Sequence, residues 1–172
     1  VRSYGWPTLE AAPDGRVFEE HTIVNANASD LAKIHDHLQR GELVQAEALC
    51  REAMRRNPFD AAMVDLLGVI ARGRGDSLAA IAHFKNAVAL APTMGLYRCH
   101  LALALKADGR RDEARAAFEG ALAADPALLE TAYNYALFLK ETGETAAAIA
   151  MGRRAIEIDP NFAAAHNNLG TA

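Results

Sequence analysis

Residues 75–92 read GDSLAAIAHFKNAVALAP, and the two ends of this stretch decide the fold. Gly75 recurs as Gly41, Gly109 and Gly143, each thirty-four residues from the next, and Pro92 recurs on the same beat as Pro58, Pro126 and Pro160. Ala80 belongs to a column with Ala46, Ala114 and Ala148. Ala87 belongs to another with Ala53, Ala121 and Ala155. Four columns in one register define a tandem array, and a fixed period of that length marks a solenoid of helical hairpins.

Working outward, glycine and proline punctuate the period differently. Each glycine sits in a polar setting, such as Arg-Gly-Asp at 74–76 or Thr-Gly-Glu at 142–144. A residue free to take positive φ ends a helix there. Each proline follows a second helix, which it cannot continue, and it restricts the residue before it. Apolar spacing agrees. Val64, Leu67, Gly68 and Ala71 mark one helical face, and Ala80, Ile81, Phe84, Ala87 and Val88 mark the next. The alanine columns are small because paired helices approach closely there, and a bulky replacement costs ~1–3 kcal/mol of overpacking.

This pattern resembles the tetratricopeptide repeat, a helix–turn–helix unit of the same period. Aligned to that family, the units run 27–60, 61–94, 95–128 and 129–162, with a partial fifth at 163–172. The run His166-Asn167-Asn168-Leu169-Gly170 is similar to the family's first-helix core. The resemblance implies an all-α, right-handed superhelix of antiparallel helix pairs. Two departures stand out. Leu31, Ile34 and Leu38 sit one place late in the first unit, which predicts a turn before Gly41 that is one residue short. Gly152 takes the column of Cys50, Phe84 and Phe118, which predicts that the second helix of the fourth unit is the softest of the full units.

Residues 1–26 stand outside the array. Pro13-Asp14-Gly15 is a turn signal, residues 16–24 have strand-like composition, and Trp6 and Phe18 are the anchors if this segment packs on the first repeat. The chain starts at valine and stops within an expected helix, so it is expected to be a slice of a longer protein.

Composition narrows the function. Net charge is −4, which argues against a general nucleic-acid binder. No apolar run reaches the ~18–20 residues of a membrane span. Cys50 and Cys99 form no CxxC motif or disulfide framework, which points to a reducing compartment, hence the cytoplasm. His35 and His37 are two apart and do not make a metal pair. His21, His83, His100 and His166 are expected to be ordinary helix residues with no carboxylate at ligand spacing. No catalytic constellation, metal site or cofactor site is expected in this segment.

The resemblance implies that first helices line the concave face. Read by column, one position holds Gln39, Arg72, Lys106 and Lys140. Three residues earlier the column is apolar and expected to be exposed: Val69, Leu103, Leu137 and Thr171. Earlier still come Asp65, Cys99, Tyr133 and Asn167, and beside them Leu66, His100, Asn134 and Asn168. This predicts a groove with an apolar floor and a basic rim, holding an extended peptide with spaced hydrophobic side chains and acidic groups. Asn134 and Asn168 are the candidates for bonding its backbone. They resemble the asparagine ladder of O-linked N-acetylglucosamine transferases, broken here at Leu66 and His100. The carboxylate clamp of chaperone-binding members is absent, because Asp65, Val69, His100 and Glu130 stand in the matching columns. A basic residue in the last helical turn is also favoured by the helix dipole at ~0.3–1 kcal/mol without any ligand.

The expected function is a non-catalytic scaffold for a protein or peptide partner. The alternative is the repeat region of a larger enzyme. Arrays of bacterial glycosyltransferases and sulfotransferases are similar in the run Gln45-Ala46-Glu47-Ala48-Leu49-Cys50-Arg51. A third expectation is self-association through the open fifth unit.

Overall fold

The computed structural model describes residues 28–170, and side chains of residues 29–168. The expectations for Trp6, residues 13–15 and 16–24, Phe18, His21 and Thr171, and for the side chains of Leu169 and Gly170, lie outside the described residues.

Nine helices and no strand occupy the described chain: α1 (Ala28–Gln39), α2 (Leu43–Arg56), α3 (Ala61–Gly73), α4 (Ser77–Leu90), α5 (Gly95–Ala107), α6 (Arg111–Ala124), α7 (Leu129–Glu141), α8 (Thr145–Ile158) and α9 (Ala163–Gly170). They form the expected solenoid of helix pairs. At the turn inside each pair, Gly41, Gly75, Gly109 and Gly143 hold φ values of 73°, 79°, 80° and 83°. Each glycine N–H donates to the carbonyl three residues back, as Gly75 does to Arg72 at 3.0 Å. The next N–H donates five residues back, as Asp76 does to Ala71 at 3.0 Å. This double closure satisfies the last helical carbonyls and needs a left-handed residue at its centre.

The expected shortening before Gly41 is not found. Gly41 donates to Leu38 and Glu42 to His37, the same closure as at Gly75. What changes is packing. Ile34 stands in the column of Gly68, fully buried, and shares a core cluster with the buried Cys50. In the next pair the sizes are reversed. A Cβ added to Gly68 would lie 2.6 Å from Phe84 Cε1. A large residue on one helix is thus met by a small one on its partner. α8 runs the same fourteen residues as α4 and α6, with Gly152 buried within it.

Between pairs the chain turns at Pro58, Pro92, Pro126 and Pro160. Asp60 caps α3, its side chain accepting from Ala62 N at 3.0 Å and Met63 N at 3.3 Å. Such a cap contributes about 1 kcal/mol. The loop carbonyls of three prolines are held by side chains: Arg98 Nη2 donates to Pro92 O at 3.2 Å, Arg154 Nη2 to Pro126 O at 2.9 Å, and His166 Nε2 lies 2.9 Å from Pro160 O.

Each helix packs mainly on its pair mate and on the next helix in the chain. The first helices α3, α5 and α7 also contact one another, whereas the second helices make no comparable contact among themselves. The wall whose helices approach more closely is the inner wall of the curve. The first helices therefore form the concave side, and this is the surface the fold positions for use.

Candidate functional site

The concave columns do not present their residues separately. They are joined across neighbouring pairs by partners 35 residues apart, one more than the period. His100 Nδ1 lies 2.9 Å from both Oδ1 and Oδ2 of Asp65. Asn168 Nδ2 donates to Tyr133 Oη at 3.0 Å, and Lys106 Nζ donates to Glu141 Oε1 at 2.6 Å. The extra residue in the step arises because adjacent first helices are offset: a side chain meets the next helix one position beyond its own column.

This pairing corrects several expectations. Asp65 is not open to a ligand, since it is buried at 4% exposure against His100. His100 is not without a carboxylate. Asp65 faces Nδ1, and Glu130 Oε1 lies 3.7 Å from Nε2. Asn134 is buried, and its Nδ2 donates to Glu130 O on its own helix at 2.8 Å. Val69, expected to be exposed, is buried in the core cluster that includes Phe84, Cys99 and Leu105, because the neighbouring first helix covers it. Leu103 and Leu137, one and two periods further on, are half-buried and keep part of their surface outward.

The three cations of one column have three different settings. Arg72 is half-buried, its guanidinium carbon 6.0 Å from the Phe84 ring centre. Burial pulls its pKa below the usual arginine range, against the opposing fields of Glu130 and Asp65. An arginine remains charged through such a shift. Lys106 is paired with Glu141, and Lys140 is exposed. The basic rim is therefore interleaved with carboxylates from the adjacent first helix.

Tyr133 is half-buried and meets Phe162 edge-on at 5.0 Å between ring centres, with Asn168 on its hydroxyl. Asn167 is exposed beside it. The open part of the concave face is thus Leu103, Leu137, Tyr133, Lys140 and Asn167, with the paired Lys106 and Asn168 at its edges.

Among the described residues no group of three or more histidine, cysteine or carboxylate side chains could hold a metal ion. Asp65 and Glu130 illustrate why, since they contact different nitrogens of one imidazole and do not converge on a shared point. Cys99 is fully buried, and burial pushes its thiol well above the usual cysteine range. Cys50 is likewise pushed up to about 12, again chiefly by burial. Neither thiol is available as a nucleophile. A surface hollow lies among Pro92, Thr93, Arg98, Gly120, Ala123 and Ala124, but the Arg98 guanidinium there is already bound to Pro92 O. No helix among the described residues is long and apolar enough to cross a membrane.

The sequence placed His100 and Glu130 in concave columns but not as partners around Asp65, and it did not single out Glu141. The available signal was complementary chemistry at a spacing of 35: aspartate to histidine, tyrosine to asparagine, lysine to glutamate.

Comparisons with known proteins agree with the fold. Two tetratricopeptide repeat models match residues 31–94 and 105–169, between them most of the chain. No curated protein sequence matches. Among solved structures, a MamA fragment from Desulfovibrio magneticus RS-1 is similar at TM-score 0.66 and 21% identity, covering 83% of this chain and 81% of that one. A structure described as a functional characterization of Pseudomonas aeruginosa pilF gives TM-score 0.76 at 18% identity, covering 83% and 65%. YrrB, described as a TPR protein with an unusual peptide-binding site, gives 0.65 at 19%, covering 81% and 72%.

Proposed function

This chain belongs to the tetratricopeptide repeat family, and on that footing we propose that its protein-interaction surface is the concave face, acting as a groove for an extended peptide segment of a partner. The carrying observation is that Leu103 and Leu137 stay half-buried at one level of neighbouring first helices, with Tyr133 beside them. Packed helices lie about 8–10 Å apart, and an extended chain in the polyproline II form advances about 3.1 Å per residue and returns every third side chain to the same face. Such a floor suits a peptide with an apolar side chain about every third residue. Lys140, exposed next to Leu137, favours an acidic group on that peptide, and Asn167 offers an amide to its backbone. The described peptide-binding site of YrrB supports the same class of ligand. No bond-making is assigned to the segment. A reducing compartment such as the cytoplasm belongs to the same proposal, supported by the two buried free thiols.

The test is selection of peptides from a displayed random library on the folded chain. Enriched sequences are expected to carry spaced apolar residues and acidic groups. They should lose at least about tenfold in affinity, roughly 1.4 kcal/mol, to a Leu103→Glu/Leu137→Glu variant of unchanged helicity. Equal affinity for both chains refutes the groove. A second variant, Arg72→Glu/Lys106→Glu/Lys140→Glu, asks separately whether the cations contribute.

A further inference from the structure

We propose that His100 is a proton-operated clasp. Protonated, it ties α3 and α7 to α5 through its two ring nitrogens. Neutral, it loosens the stacking of these three successive first helices.

The inference starts from the ring's two faces. Nδ1 is 2.9 Å from both oxygens of Asp65 on α3, and Nε2 is 3.7 Å from Glu130 Oε1 on α7. The imidazolium carries an N–H at both positions, so each nitrogen presents a proton to a carboxylate. The neutral ring carries only one N–H. Whichever tautomer it adopts, it turns a lone pair toward a carboxylate, either Asp65 at hydrogen-bonding distance or Glu130. No neutral state serves both partners.

The site magnifies this difference. The His100 side chain is 14% exposed and that of Asp65 is 5% exposed, so water cannot readily replace a lost contact. The charged or titratable neighbours are few. α3 contributes Asp65 and Arg72, α7 contributes Glu130, and α5 itself contributes Cys99. From α4 the neighbour is the Phe84 ring, 5.5 Å away between centres. Burial and Arg72 disfavour the imidazolium. Asp65 and Glu130 favour it and outweigh them, so the His100 pKa is raised above its ordinary value. A group raised in the folded state stabilises it fully below its unfolded pKa of about 6.5. That stabilisation disappears as pH climbs through the higher folded value. The clasp is therefore closed at mildly acidic pH and releases on the alkaline side of 6.5. Three first helices meet at this residue, so its protonation acts on their stacking as a unit.

Thermal unfolding of the whole chain and of His100→Gln, each at pH 6.0 and 8.5, tests the clasp. The other histidines titrate equally in both proteins. The wild-type melting temperature is expected to fall by about 2–4 °C more than that of the variant over this interval. Asp65→Asn is expected to remove the same extra response. Equal responses in wild type and variants overturn the proposal. An NMR titration of the His100 ring proton in the wild-type chain gives an answer even if a variant does not fold. A midpoint above 6.5 supports the clasp, and one at or below 6.5 overturns it.

Discussion

Lys106 on α5 donates to Glu141 on α7 across 2.6 Å, so a cation that would face a ligand also braces two neighbouring first helices. Its partner sits at the end of the next first helix, one place beyond Lys140. The pair is mostly solvated, with Glu141 59% exposed, and exposed pairs contribute at most about 1 kcal/mol. Glu141→Gln is therefore expected to leave the denaturation midpoint nearly unchanged. The same change releases Lys106 toward the groove. Affinity for a selected acidic peptide, followed by fluorescence anisotropy, is expected to rise severalfold at low salt and to lose that gain at high salt. An unchanged affinity would place Lys106 outside the binding surface.

Two helical glycines are expected to respond to alanine with opposite signs. At Gly68 the new methyl would sit 2.6 Å from Cε1 and 2.7 Å from Cδ1 of Phe84, a ring with no exposed surface and no room to retreat. Overpacking of ~1–3 kcal/mol outweighs the ~1 kcal/mol helix-propensity gain. Gly68→Ala should thus lower stability. At Gly120 the nearest atoms are the Arg98 side chain at 3.5 and 3.6 Å, an ordinary contact. Gly120→Ala should raise stability by about 0.5–1 kcal/mol. Urea unfolding of the two variants in parallel decides the point. A stabilised Gly68→Ala would show that the Phe84 ring can move.

The thiols give a third expectation. Both cysteines are completely buried with pKa values raised chiefly by burial. In the native chain at pH 7.5, iodoacetamide should modify neither within an hour. In denaturant both should react, giving a mass increase of two adducts. Rapid labelling of Cys99 under native conditions would mean that the α5–α7 seam opens on that timescale.

The sequence carried the fold because its punctuation is local. Gly75 closes a turn and Pro92 stops a helix through their own backbone constraints, and neither needs a distant neighbour. The concave face was only partly legible, because its chemistry depends on how far adjacent first helices are offset. The columns were right in sequence, but Asp65 meets His100 and Tyr133 meets Asn168 one place off column. Val69 shows the same limit. Its helical face is clear from spacing, yet only the packing of α5 shows that it is covered. The first pair misled for another reason. Ile34 breaks the small-residue column, and Cys50 opposite it restores the fit through volume, not through position.

The principal contacts of every helix are with helices one or two places away in the chain. An array connected this way has no seam joining its ends, so assembly requires no long loop to close. Chains dominated by such local contacts fold on the microsecond-to-millisecond scale. Order can begin at any well-formed pair and spread to the next.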